Sequence, residues 1–218
     1  DGPLAGRKVV VTAGGTQEPI DPVRVITNRS SGKQGYAVAQ AALDAGAEVV
    51  LISAPTALTP PMGATVVAVK TAAQMQAAVL DETGDAHALI MAAAVADFRP
   101  RPSAQKLKKE IGIPKIELEA TEDILAAVSA RKGETGFPKF MVGFAAESQD
   151  LLKNAQSKLE RKRLDMIVAN DILAQDAGFE VDTNRVVLLF ADGRSQNLPV
   201  QEKAEIAEAI LQQIIAWG

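Results

Sequence analysis

The chain contains no cysteine and a single histidine among its 218 residues. Without cysteine there is no disulfide, no thiolate metal ligand and no cysteine nucleophile, a composition typical of a reducing cytoplasm. The one histidine, His87, lies in the connection "GDAHAL" just before a buried apolar run, which favours a structural place at a strand edge. These absences argue strongly against a Ser-His-Asp mechanism.

Positive charge and long apolar runs are also scarce. The formal net charge is −4, which argues against a general nucleic-acid binder. No apolar run approaches the roughly 18 residues expected of a membrane-spanning helix, and the first residues show no signal-peptide pattern. The chain begins only a few residues before its first predicted strand, so we expect it to be one domain of a longer protein.

Short apolar runs recur along the chain, separated by amphipathic stretches of helical length. Their apolar character is continuous rather than alternating, as expected for strands whose sheet is covered by helices on both faces. The predicted strands are 8–13, 48–54, 64–69, 88–94, 139–145 and 165–170. Alternating strands and helices predict an α/β fold, a doubly wound, mostly parallel, Rossmann-like sheet.

Helix signals fill the intervals between these strands. The predicted helices are 33–47, 71–84, 121–133 and 201–218. Near the C-terminus, residues 185–200 hold two extended runs around Asp192-Gly193, which predicts a β-hairpin extension. Residues 99–115 show no clear element. We expect a single domain over 1–218.

The usual nucleotide motifs are missing. A dinucleotide fold needs G-x-G-x-x-G between strand and helix, but Gly14 and Gly15 stand far from Gly32 and Gly35. The second strand ends in Ser53 rather than in an acid that could bind a ribose. No P-loop occurs either. An NAD(P)-binding oxidoreductase or binding module of the same fold stays as the alternative function.

The connection 14–35 is far longer than the two to six residues that usually join a strand to a helix. Its final "SSGKQG" opens a helix whose backbone amides and dipole could bind an anion. Arg24 and Arg29 add charge, and Asn28 could orient a carbonyl group or stabilise its oxyanion. A glycine- and proline-rich surface loop with Ser31 as an ordinary helix cap is the simpler interpretation.

The same stretch, "GGTQEPIDPVRVITNRSSGKQG", resembles the signature of phosphopantothenate–cysteine ligases of the bacterial, CTP-using type. Similar blocks follow in the family's order: "AAAVADFRP", "KLKK", "VGFAAES" and "DMIVAND". The resemblance implies a cytoplasmic enzyme that joins 4′-phosphopantothenate to L-cysteine with CTP and Mg²⁺ through an acyl-cytidylate. It further implies a homodimer, with a flavin-dependent decarboxylase domain fused in the full-length protein.

The family resemblance also implies roles for individual residues. Asn28 would contact the acyl group of the intermediate, Arg24 would assist on the acyl-cytidylate side, and Asp97 would hold the ribose or help order the metal. Lys106 would be the main phosphate ligand, on a mobile flap formed by about 99–115, with Lys108 and Lys109 as supporting charge. A solvated basic loop is the usual interpretation of such a run. A non-catalytic partner subunit, as in relatives whose ligase-like domain has lost its site, is a further alternative. The presence of Asn28, Asp97 and Lys106 argues against it.

The nucleotide would lie along the strand ends. Phe144 would stack on the base or pack beneath it, although a core phenylalanine is the simpler possibility. Backbone contacts are implied for Met91, Ala92 and Ala93, and for Glu122, Asp123, Ile124 and Leu125. In this last block, "TEDIL" stands where the family has Asn-Pro-Asp-Ile, so only the backbone contacts are inherited.

Lys158 and Lys162 match two nucleotide ligands of the family and are four residues apart, on one helix face. A helix that leaves the strand 139–145 should run away from the carboxyl edge and carry both lysines with it. Either that helix starts late and is bent across the edge, or the lysines lie on a connection after it. On geometry alone they would form a solvated face.

Overall fold

The computed structural model describes residues 2–108, 112–113, 115–147, 150–171 and 182–218. Five helices lie within these residues: α1 (Lys33–Asp44), α2 (Ala72–Glu82), α3 (Ile124–Thr135), α4 (Leu151–Arg161) and α5 (Lys203–Trp217). Eight described strands form one sheet: β1 (Lys8–Ala13), β4 (Glu48–Ser53), β5 (Thr65–Ala68), β6 (Ala88–Met91), β9 (Phe140–Glu147), β10 (Met166–Asp171), β11 (Thr183–Phe190) and β12 (Ser195–Glu202). Two small ribbons complete the described elements: β2 (Gln17–Pro19) with β3 (Val25–Thr27), and β7 (Phe98–Pro100) with β8 (Leu118–Ala120).

The sheet order is β12-β11-β10-β9-β6-β1-β4-β5. The pairs from β10 to β5 are parallel, whereas β11 and β12 are antiparallel and continue the sheet at one edge. Helices α1 and α5 cover one face, and α2, α3 and α4 cover the other, each over a buried apolar cluster. The prediction of a doubly wound, mostly parallel sheet is therefore confirmed, as is the C-terminal hairpin.

The helix boundaries follow from local caps. Thr71 and Gln74 form a capping box at the start of α2, in which Gln74 N donates to Thr71 Oγ1 at 3.2 Å. The third helix begins at Ile124, three residues later than the sequence predicted. Thr121 is held back by two hydrogen bonds, from its N to Asp97 O and from its Oγ1 to Ala96 O, so Asp123 becomes the N-cap.

The predicted loops contain more structure than the sequence indicated. The long connection 14–35 includes the β2–β3 ribbon, and residues 99–115 begin with the end of β7. Of this predicted flap, residues 109–111 and 114 lie outside the described residues, and Lys109 is one of them. No helix among the described residues is long and apolar enough to cross a membrane.

Candidate functional site

A cavity of about 770 Å³ opens where β6 ends and β9 and β10 continue. This is the carboxyl edge of the parallel strands, beside the point where the strand order reverses, which is the usual ligand position in such sheets. The predicted site residues that line it are Asn28, Met91, Ala92, Ala93, Asp97, Glu122, Asp123, Ile124, Leu125, Phe144, Lys158 and Lys162. Arg24 and Lys106 are the two predicted residues that do not.

The segment that follows β6 is anchored to the end of β1 and to the connection after β1. Ala93 N donates to Thr12 Oγ1 at 3.1 Å, and Ala96 N donates to Thr16 Oγ1 at 2.9 Å. Both threonine side chains are fully buried. Because its N–H is already used by Thr12, the backbone group with which Ala93 could meet a ligand is its carbonyl.

Asn28 lies against this strand end. Its Nδ2 donates to Val95 O at 3.2 Å, which brings the amide to the cavity rim. Gly15 lets the Asn28 backbone pack this closely, because a Cβ at position 15 would lie 2.7 Å from Asn28 O. An asparagine has a second N–H and a carbonyl oxygen beyond this one bond, so the side chain can still contact a ligand.

Helix α3 points its N-terminus into the cavity. Asp123 Oδ1 accepts from Ala126 N at 3.0 Å, and the other carboxylate oxygen of Asp123 pairs with Lys162. Ile124 and Leu125 are buried in the core, and the Glu122 carboxylate accepts from Gln76 at 2.9 Å. The side chains of this block thus have partners or core contacts of their own.

Lys158 and Lys162 reach the cavity because β9 extends past β6. Met91 at the end of β6 pairs with Gly143, and β9 then continues to Glu147. The three residues from 144 to 147 rise about 10 Å. The return along α4 from 151 to 158 covers a similar distance of about 10 Å. Lys158 therefore returns to the level of Phe144, and its Nζ donates to Phe144 O at 2.7 Å.

Arg24 is bound to a neighbour outside the cavity. Its guanidinium pairs with the buried carboxylate of Asp21, with Nε at 3.0 Å, and also donates to Leu107 O at 2.8 Å. Leu107 N in turn donates to Asp21 at 3.1 Å. These bonds hold the pKa of Asp21 well below its usual range, with the Arg24 bond as the largest cause. Arg24 thereby ties the β2–β3 ribbon to the segment that carries the exposed Lys106.

Sequence reasoning missed the polar residues at the other end of the cavity, between α1 and α5. Gln34, Asn170, Asn184 and Lys203 line it there. Asn170 could have been predicted as a site residue, because it ends the apolar run "DMIVAN" at the carboxyl end of a strand. The sequence gives no such indication for Asn184 and Lys203, because each lies in a segment that looks like an ordinary strand or helix start.

The dinucleotide alternative gains no support from this geometry. Strand β4 ends at Ser53, and its hydroxyl hydrogen-bonds with the Tyr36 hydroxyl at 3.0 Å, where a dinucleotide site would present an acid. Within the described residues, no group of three or more histidine, aspartate or glutamate side chains could hold a metal ion by itself.

Comparison with known proteins gave consistent matches. The model of the DNA/pantothenate metabolism flavoprotein C-terminal domain family matches residues 4–217. The Coenzyme A biosynthesis bifunctional protein CoaBC of Bacillus subtilis is 47% identical over 216 residues, which are 98% of this chain and 52% of that protein. The chain thus spans about half the length of the curated relatives it matches.

Two solved structures share the whole fold. The crystal structure of the C-terminal domain of a CoaBC protein has a TM-score of 0.83 at 40% identity, and the match covers 100% of this chain and 98% of that one. The DNA/pantothenate metabolism flavoprotein from Streptococcus pneumoniae also has a TM-score of 0.83, at 25% identity, over 98% of this chain and 100% of that one.

Proposed function

We infer the function from one premise: the chain belongs to the DNA/pantothenate metabolism flavoprotein C-terminal domain family, whose model it matches almost from end to end. We propose that it is a phosphopantothenate–cysteine ligase of coenzyme A biosynthesis. The relatives are named bifunctional proteins of that pathway, and this chain spans about half their length. We propose that a flavin-dependent decarboxylase domain is the other half of the full-length protein.

The observation that supports this proposal most is the convergence of distant segments on one cavity. Asn28, the strand end at Ala93, the N-terminus of α3 and the lysines of α4 all line it, although they are spread over 135 residues. Side chains that are far apart in sequence and dissimilar in chemistry meet at the sheet edge where such folds bind ligands. A cavity of about 770 Å³ is large enough for a nucleotide-sized ligand.

In the proposed first step, the phosphopantothenate carboxylate attacks the α-phosphorus of CTP. A P–O bond to the carboxylate oxygen forms, the bond to the bridging oxygen breaks, and pyrophosphate leaves. Lys158 and Lys162 supply positive charge next to the backbone groups of α3, where the nucleotide would lie, and Phe144 gives a flat apolar surface. The protein contributes positioning and charge stabilisation rather than a nucleophile.

In the proposed second step, the cysteine amine attacks the acyl carbon of the acyl-cytidylate. The new C–N bond forms, the amine loses a proton and CMP leaves. Asn28 is held at the rim by its bond to Val95 O, and its amide can donate to the acyl oxygen as negative charge develops there. In this proposal, Asn28 acts at the bond that is made.

The described residues fit a magnesium ion that is held mainly by the substrate. Mg²⁺ commonly binds one or two carboxylates together with substrate phosphates and water. Asp97 is exposed at the cavity edge and can supply one such oxygen, while Asp123 is already paired with Lys162. When bound, the ion would neutralise the charge of the triphosphate.

We propose a homodimer whose interface includes the two small ribbons. Val23, Val25, Phe98 and Leu118 expose 45–64% of their surface, and β2 of one ribbon lies against β7 of the other, so the two ribbons together present an exposed apolar region. Burial of such a face against a second copy is favourable. Arg24 and Lys106 lie in this same region, outside the cavity described above. Their proposed catalytic roles therefore require that the flap or the second copy bring them to the ligand.

A pyrophosphate-release assay tests the ligase proposal. With phosphopantothenate, L-cysteine and magnesium, we expect turnover with CTP that exceeds turnover with ATP and requires phosphopantothenate. Lys106→Gln should lower kcat/KM by about 100-fold, the usual effect of losing a charge contact at a transferring phosphoryl group. Lys108→Gln is the matched control, since it removes a neighbouring exposed lysine, and should cost far less. Absence of CTP turnover, or equal losses in both variants, would count against the proposal.

A further inference from the structure

The segment 93–97, which follows β6, joins two parts of the cavity wall. Asn28 is bound to it by the hydrogen bond from its Nδ2 to Val95 O at 3.2 Å. The chain that leads into α3 is bound to it as well, because Thr121 N donates to Asp97 O at 2.9 Å. The position of Asn28 relative to the start of α3 is therefore set through this one segment.

Thr16 holds the middle of this segment in place. Its N donates to Ala94 O at 3.2 Å, and its Oγ1 accepts from Ala96 N at 2.9 Å. These two bonds bracket Val95, the residue whose carbonyl receives the Asn28 amide. Thr16 is fully buried and is not among the residues that line the cavity. Its hydroxyl can therefore affect a ligand in the cavity only through the groups that it holds.

Thr16 is tied to Asn28 by a second route, through the β2–β3 ribbon. Thr16 directly precedes β2, Asn28 directly follows β3, and Gln17 pairs with Thr27, so the two residues lie at the same open end of the ribbon. There the Thr27 hydroxyl donates to Thr16 O at 2.8 Å. Asn28, the segment 93–97, Thr16 and Thr27 thus form a closed ring of contacts. Such a ring limits how far the Asn28 side chain can move from the strand end.

The contacts of Thr16 differ from those of a threonine that only satisfies a buried N–H. Thr12 is such a residue: its hydroxyl accepts from Ala93 N at 3.1 Å and donates to Met91 Sδ at 3.6 Å, and both partners lie at the end of one strand. The Thr16 hydroxyl also satisfies a buried N–H, that of Ala96, as buried groups require. In addition, it fixes the segment to the same residue whose carbonyl holds the ribbon.

We propose that Thr16 is a positioning residue of the ligase reaction, which holds Asn28 in register with the segment 93–97. This assignment rests on the proposed ligase function, in which Asn28 meets the acyl group and the segment borders the nucleotide. A misplacement of about 1 Å at a reacting group can lower the rate by about 100-fold. Because Thr16 does not contact a substrate, its loss should slow turnover of the bound substrates and leave their binding unchanged.

Thr16→Val tests this role because it keeps the β-branched shape and removes the hydroxyl. We expect kcat for formation of phosphopantothenoylcysteine to fall by about 10- to 100-fold. KM for CTP, phosphopantothenate and L-cysteine should each change by less than about threefold. Thr16→Ser keeps the hydroxyl and should restore most of kcat. Thr83→Val is the matched control, since Thr83 is also buried and its hydroxyl bonds only to Val79 O within α2, away from the cavity, so kcat should not change.

A double-mutant cycle with Asn28→Ala separates positioning from a general loss of structure. If Thr16 acts through Asn28, adding Thr16→Val to Asn28→Ala should lower kcat by less than about twofold further. Losses that multiply, or a raised KM with an unchanged kcat, would show that Thr16 supports only the fold and would overturn the assignment. Should Thr16→Val not fold, Thr27→Val removes the donor to Thr16 O from an exposed position. It should lower kcat by a smaller factor that likewise disappears in Asn28→Ala.

Failure of the ligase proposal is distinguishable from failure of the positioning role. If the unmodified protein forms no product from CTP, phosphopantothenate and L-cysteine, the ligase proposal fails separately. The role of Thr16 is then decided by NMR of the Asn28 side-chain amide. Thr16→Val should shift this signal and speed its hydrogen exchange, whereas Thr83→Val should do neither. An Asn28 signal that is unchanged in Thr16→Val refutes the positioning role.

Discussion

Replacing Gly35 with alanine is expected to push α1 away from β1 and to disturb both the fold and the cavity. Gly35 lies in the first turn of α1 and is buried against the sheet. A Cβ at this position would lie 2.6 Å from the Ala13 Cβ and 2.9 Å from Thr12 O. Carbon atoms normally pack at about 3.5–4.0 Å, so the helix must retreat by about 1 Å.

The expected magnitude follows from two opposing terms. Overpacking costs about 1–3 kcal/mol, and the upper part of that range applies here because the atoms that are met belong to a central strand. Alanine in place of glycine gains up to about 1 kcal/mol of helix propensity. The free energy of unfolding should therefore fall by about 1–2 kcal/mol. Since Ser31 to Gln34 at the start of α1 line the cavity, a shift of about 1 Å should lower kcat/KM of the proposed ligase reaction by about 10- to 100-fold.

Gly133→Ala is the matched control for this measurement. Gly133 is also helical, but a Cβ there would meet no atom within 4 Å, so only the propensity term applies and the protein should be slightly stabilised. Urea denaturation gives both free energies, and each kcal/mol should correspond to about 2–4 °C in Tm for a chain of this size. The reasoning would be wrong if Gly35→Ala were as stable as Gly133→Ala, or if it lost stability while activity stayed intact.

Two further predictions concern buried polar groups. Thr12→Val leaves Ala93 N–H without its acceptor and should lower the free energy of unfolding by about 1–3 kcal/mol in urea denaturation, whereas Thr12→Ser, which keeps the hydroxyl, should cost less. Burial, aided by the charge of Arg7, lowers the pKa of His87 from its usual 6.5, so above that pH the group has no effect on stability. Below pH 6.5 the unfolded chain binds a proton that the folded protein does not, and stability should fall by at most about 1.4 kcal/mol per pH unit. His87→Phe should remove this slope between pH 6.5 and 5, and an unchanged slope would assign the pH dependence to other groups.

Much of the architecture was predictable because its signals are local. Continuous apolar runs indicated the parallel strands, Thr71 marked a helix start, and Asp192-Gly193 marked the hairpin. Strands of a parallel sheet bring their carboxyl ends to one edge, so residues that follow several strands were expected to meet there. Asn28, Asp97 and the block after 121 do line one cavity.

The tertiary structure alone decided which partners the charged and amide side chains take. Arg24, Asp21 and Leu107 are joined by contacts between segments more than 80 residues apart, so the sequence could not show that Arg24 is engaged outside the cavity. Likewise, Lys203 and Asn170 line one cavity only because α5 and β10, which are distant in sequence, converge on it in the fold. The patterns that indicate strands and helices depend on residues that are neighbours in sequence. The environment of a charge depends instead on every segment that folds around it, so it is determined only when the whole chain is packed.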